Sequence, residues 1–151
     1  MAPISEDLRQ PSLTATIEQV RYWAPTIGDV AHISEHGEDG EGWILSIIPH
    51  AIAACPVSLA LREDGRFDIV LAGETYPAFA FDSPDRIVPF LECIVAGQVL
   101  QRHWISTATG IPQGIETLVR LGAGLRFHNG AEPVDGIEYR DRHFLPYRRR
   151  P

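Results

Sequence analysis

Residues 56–81 read PVSLALREDGRFDIVLAGETYPAFAF, and their alternation decides the fold class. Val57, Leu59 and Leu61 alternate with Ser58, Ala60 and Arg62, the period-2 pattern of a half-buried strand. Asp64-Gly65 supplies a turn with positive φ, after which Phe67, Ile69 and Leu71 resume the alternation, so the stretch predicts a β-hairpin. Gly73-Glu74 predicts a second turn, and Thr75 to Phe81 a third strand carrying Tyr76, Phe79 and Phe81. Upstream, Gly42 to Ile48 is expected to join the same antiparallel sheet.

Working outward toward the C-terminus, Ser83-Pro84-Asp85 has the chemistry of a helix start: a capping hydroxyl, a proline and a carboxylate at the positive end of the dipole. Ile87, Val88, Leu91, Ile94 and Val95 recur at helical spacing, which predicts a central helix over about 84–96, closed by Gly97 and packed on the sheet. Pro89 should bend or delay its first turns. Strands are then expected at Val99–Thr107, Ile115–Leu121 and Leu125–His128. Toward the N-terminus, Leu13, Ile17, Val20 and Ala24 share one stripe and predict a helix from about Thr14 to Trp23. Residues 29–36 fit a helix or a strand paired with Trp43 to Ile48, and the strand is the preferred reading. The fold class is therefore α+β: a mainly antiparallel sheet of about six to seven strands, one central helix and an N-terminal helix. The organisation follows as a flexible terminus over 1–12, a single domain over 13–128 and an irregular, arginine-rich extension over 129–151.

The size of the chain, 151 residues, suits one domain able to bury a core without metal or disulfide staples. All thirteen basic residues are Arg. The absence of Lys removes Schiff-base lysines, lysine general bases and the lysine of a phosphate-binding loop. Cys55 and Cys93 stand 38 positions apart in apolar surroundings and read as buried thiols. The N-terminal stretch is polar, with Glu6 and Asp7, and lacks a signal-peptide pattern. No segment approaches the roughly 20 apolar residues of a membrane span, so a cytoplasmic setting without membrane contact is the expectation.

Charge is polarised along the chain. Residues 140–151 hold five Arg against one Asp, net +4, while residues 1–139 hold eight Arg against nineteen Asp and Glu, net −11; together they give the formal −7. In the tail Tyr139, Phe144 and Tyr147 are interleaved with Arg140, Arg142, Arg148, Arg149 and Arg150, residue types that anchor protein interfaces or stack on bases. The acidic body would repel a phosphate backbone and confine any nucleic-acid contact to the tail. These residues are therefore the candidate partner-binding set, the partner being another protein or a second copy of the chain; the alternative is that the tail packs on its own acidic surface.

His32-Ile33-Ser34-Glu35-His36 resembles the inverted zincin motif H-x-x-E-H, which implies a zinc-dependent hydrolase with His32 and His36 as metal ligands and Glu35 as the catalytic base. A strand would break this arrangement, because residues three apart then point to opposite faces. The acidic loop 37–42 lacks the ligand spacing of an EF-hand and reads as a solvated turn. Arg102 and Glu116 are expected to form a cross-strand pair beside His103 and Trp104. A third possibility is a small-molecule pocket between helix and sheet, lined by Phe79, Phe81, Leu91 and Trp104. The preferred expectation is a non-enzymatic accessory or protein-interaction domain without a cofactor, zinc entering only under the hydrolase alternative.

Overall fold

The hairpin at the centre of the sequence forms as its alternation requires. In the computed structural model, which describes the backbone of residues 4–38 and 41–148 and the side chains of residues 13–37 and 42–148, strands β3 (Val57–Leu61) and β4 (Phe67–Leu71) pair antiparallel. Val57 faces Leu71, Leu59 faces Ile69 and Leu61 faces Phe67, so all six side chains enter the core together. Gly65 takes φ +83° at the turn. The next turn is one residue earlier than the sequence suggests: Leu71 faces Glu74, and Ala72 and Gly73 both have positive φ, at 51° and 88°. Two such residues make a type I′ turn, where Asn-Gly is preferred and an alanine is strained by about 1–2 kcal/mol. Ala72→Asn is expected to stabilise the domain by about 0.5–1 kcal/mol, raising the thermal midpoint by roughly 2–4 °C in calorimetry. An unchanged or lower midpoint would contradict the turn assignment.

Three further strands complete this sheet. β1 (Ala31–Glu38) settles the ambiguity of residues 29–36 as a strand, and it pairs with β2 (Glu41–Pro49) as expected. With β5 (Glu74–Phe79), the sheet runs in the order β1-β2-β3-β4-β5, each strand antiparallel to its neighbour. A second sheet follows from β6 (Val99–Ser106), β7 (Pro112–Val119), β8 (Leu125–Gly130) and β9 (Ile137–His143), in the order β8-β7-β6-β9. The described residues thus hold nine strands in two antiparallel sheets, together with two α-helices, so the chain is α+β with more strands than the sequence reading counts. The two sheets meet where β5 approaches β7 and β8: Tyr76 Oη of β5 and Thr117 Oγ1 of β7 lie 2.7 Å apart, and Asn129 Nδ2 of β8 donates to the Thr75 carbonyl at 2.8 Å.

Helix α1 (Ile4–Trp23) begins ten residues before the expected Thr14 and places Ile17 and Val20 in the core. The flexible terminus expected over 1–12 falls outside the described residues at 1–3, and from Ile4 the backbone is helical. Helix α2 (Ile87–Val95) follows a 3₁₀ turn at Pro84–Arg86. Pro89 explains the delay: when α2 starts at Ile87, the proline falls in the first turn, where a backbone donor has no partner in the helix. Ser83 does not cap this helix; its hydroxyl turns instead to the Asp85 carboxylate. At the other end Gly97 (φ +76°) donates to Ile94 O and Gln98 to Cys93 O, a Schellman closure.

The extension expected to be irregular is ordered into structure. Residues 137–143 are β9, pairing with β6 from Leu100↔His143 to Ser106↔Ile137. Beyond it, residues 144–148 form a strap across the core: Phe144 N donates to Val99 O, Leu145 N to Ala53 O and Tyr147 N to Val95 O. A Cβ on Gly97 would come within 2.6 Å of Pro146 N, so the strap lies directly against the end of α2. One core cluster includes residues of both helices, both sheets and the strap.

Candidate functional site

The H-x-x-E-H motif does not assemble. On β1, His32 and His36 point outward while Glu35 points to the opposite side, where its carboxylate accepts from Arg21 Nε at 2.6 Å and from Trp43 Nε1 at 2.9 Å. Glu35 is thus committed to holding α1 and Trp43 against the sheet and is not positioned to activate a water beside either histidine. Among the described residues no group of three or more His, Cys, Asp and Glu is placed to hold a metal ion. Of the acidic loop, Asp39, Gly40 and the side chains of Glu38 and Glu41 lie outside the described residues.

The tail also departs from the expectation. Phe144 and Tyr147, two of the three proposed aromatic anchors, are each only 3% exposed, and the Tyr147 hydroxyl donates to the Cys55 carbonyl. They are core residues, closed off from any partner. Burial raises the Tyr147 phenol and pushes the Cys55 thiol up to about 12, which leaves both neutral and unreactive at physiological pH. Arg148 makes a bidentate pair with Asp29, at 2.6 and 2.9 Å, and holds that carboxyl below the usual range. Arg142 lies over the Phe144 ring, 4.5 Å from its centroid, and Arg102 over Tyr139 at 5.3 Å. Tyr139 and Arg140 remain exposed, while Arg149 and Arg150 lie outside the described residues. The described part of the tail therefore packs on its own body.

The outer face of the second sheet, distant from the core, is clad in paired charge. Arg102 donates to both Asp141 oxygens at 2.7 and 3.0 Å, and Arg126 donates to Glu116 and to Glu132. The expected pair of Arg102 and Glu116 is present only at 4.0 Å, because each has a nearer partner. The guanidinium of Arg102 holds the Asp141 carboxyl below its ordinary value. Trp104 lies on this same face, fully buried, stacked 5.2 Å from the His128 ring and donating to the Ala131 carbonyl at 2.9 Å. It is therefore absent from the space between helix and sheet. At the expected residues that space is packed with rings: Phe79, Phe81, Phe90 and Phe127 make contacts of 4.8–5.9 Å, and Leu91 is fully buried.

The outer face of the first sheet is built differently. Register places Ser34, Ser46, Ser58, Val70 and Thr75 in one row across all five strands. A second row runs His36, Ile44, Ala60 and Asp68, and a third joins His32 to Ile48. Ile44 and Ile48 are 40% and 54% exposed on it. Its charged groups are spent on each other and on the backbone: Asp68 accepts from Arg62 at 3.1 Å and from the Ala78 N–H at 2.9 Å, which together lower its carboxyl, the backbone donor first. By sequence the β1–β2 hairpin at one end of this face carries Glu38, Asp39 and Glu41. Sequence reasoning missed the face as a site, although the signal was there: the outward positions of the expected strand 42–48 are Gly42, Ile44, Ser46 and Ile48, where a solvated strand carries long charged side chains.

No protein-family model, curated protein or solved structure matches this chain.

Proposed function

We propose that the chain is a non-enzymatic protein-interaction domain that docks a partner on the outer face of its five-stranded sheet. The contrast between the two outer faces carries this reading. One is covered by a closed ion-pair network, whereas the other offers small hydroxyls and two exposed isoleucines, with its one charged pair already satisfied. Exposed isoleucines flanking a row of small hydroxyls can be buried against a partner without desolvating a long charged side chain. The acidic hairpin beside it and the −7 formal charge favour a partner that is basic around the contact. The zinc-hydrolase and small-molecule alternatives have no supporting geometry at the residues that suggested them.

The reading is tested by affinity capture from the native host at fixed salt, comparing the unaltered chain with Ser46→Arg/Ile48→Arg. Both side chains point away from the core, so the variant should keep its thermal midpoint within about 2 °C, the effect of a change of about 0.5 kcal/mol. A specific partner should be retained by the native chain and bind the variant at least about tenfold more weakly, a loss of about 1.4 kcal/mol. Identical capture by both proteins would refute the open face as the docking surface.

A further inference from the structure

Strands β1 and β9 are the two outer edges of the sheets, because β5 and β8 meet each other. β9 is protected in the usual way, by Glu138, Arg140, Asp141 and Arg142 in alternating sign along an edge that discourages strand addition. From Ala31 to Ser34, β1 has no Asp, Glu or Arg, and among the described residues no strand pairs with its outer side. The register fixes which groups face out. His50 N donates to Val30 O at 2.9 Å, so the bonds to β2 alternate from there through residues 32, 34 and 36. The N–H and C=O groups of Ala31, Ile33 and Glu35 consequently point away from β2.

A groove of about 300 Å³ lies beside this edge, with Ala24 and Pro25 on one wall and Ile33 and Leu45 on the other. The Arg21–Glu35 pair spans it at 2.6 Å. Ile33 and Glu35 therefore serve both features, presenting backbone to the edge and side chains to the groove. Donors and acceptors repeating every second residue are complemented by another extended backbone, and a groove between an edge strand and a helix takes the alternate side chains of such a segment. The far end of β1 leads into Glu38, Asp39 and Glu41, and the local cation, Arg21, is bound to Glu35. A second copy would bring the same acidic hairpin, and in its own basic tail Arg148 is already paired with Asp29 and Arg142 lies over Phe144, so charge favours a basic segment of a different protein.

We infer that β1 receives an extended, basic segment of a partner protein by strand addition, with an apolar side chain of that segment seated in the groove against Ile33. This deepens the protein-interaction reading and rests on it. The test is a display library of random ten-residue peptides panned against the full chain at low salt, followed by titration of the most enriched peptide. Enriched sequences should alternate apolar residues with Arg or Lys, and the amides of Ala31, Ile33 and Glu35 should show the largest NMR shifts. Methylating one alternate set of peptide amides should abolish binding, whereas methylating the other set should change it by less than about threefold, since only every second amide bonds to the strand. Ala24→Arg, which fills the groove from a partly exposed position, should weaken the peptide at least about tenfold with no change in thermal midpoint. Equal sensitivity to both methylated sets, or shifts centred on Ile44, Ser46 and Ile48, would overturn strand addition while leaving the open-face reading intact. A library with no enriched family would overturn it as well, and so would a dimer by light scattering whose interface protects the same β1 amides.

Discussion

Tyr147→Ala is expected to destabilise the domain by about 3–5 kcal/mol and to lower its thermal midpoint by roughly 10 °C. The side chain is almost fully enclosed, so truncation removes its apolar contacts and leaves a cavity that backbone-tethered neighbours cannot close. It also strands the Cys55 carbonyl that the phenol satisfies. Tyr147→Phe isolates that second contribution and should cost about 1–3 kcal/mol, the penalty of a buried acceptor without a donor. Ending the chain at His143 removes Phe144 as well and should give a protein without a cooperative transition. Equilibrium denaturation checks all three, and a Tyr147→Ala protein as stable as the parent would show that the strap is not part of the folded core. Loss of a binding partner on deleting the tail would consequently report unfolding as much as a lost contact.

The second large effect is expected at Gly114. It sits opposite Trp104 on β7, and a Cβ built there would lie 2.4 Å from the indole carbons. The ring has little room to retreat, because the His128 ring stacks on it and its N–H is held by the Ala131 carbonyl. Gly114→Ala should therefore cost about 3 kcal/mol, the upper end of ordinary overpacking, and should quench or shift the Trp104 contribution to fluorescence. Gly110, with nothing near its missing Cβ but a positive φ of 71°, supplies the comparison: Gly110→Ala should cost only about 1–2 kcal/mol, the backbone preference alone. Equal losses at the two glycines would contradict the steric explanation.

Much of the fold was legible where one physical rule dominated. In β3 and β4 the apolar alternation, the Asp64-Gly65 turn and the core-facing register agree, and the hairpin forms as read. The helix at 87–95 was equally plain, apart from the start that Pro89 postpones. β9 was not legible, because Ile137-Glu-Tyr-Arg-Asp-Arg-His143 has little apolar content; it is held by backbone pairing to β6 and by the Arg102–Asp141 bridge across 39 residues. Phe144 and Tyr147 misled for a related reason. Aromatic residues among arginines have the same composition in an interface anchor and in a strap whose rings turn inward, and only tertiary contact separates the two. Of the candidate site, the strand sequences of β1 and β2 were read correctly, yet which of their faces stays open depends on where α1 and α2 pack.

The strap has a consequence for how the protein is made. Tyr147 bonds to a carbonyl 92 positions earlier, and Arg148 to a carboxylate 119 positions earlier. Whatever is complete by then, the apolar side of β2, β3 and α2 cannot be sealed until residue 147 has left the ribosome. The nascent chain therefore carries an unsealed core until residue 147 has emerged, well after the strands and helix that the strap covers have been made. A chain halted before residue 144 should accumulate as aggregation-prone protein in place of a shorter functional one.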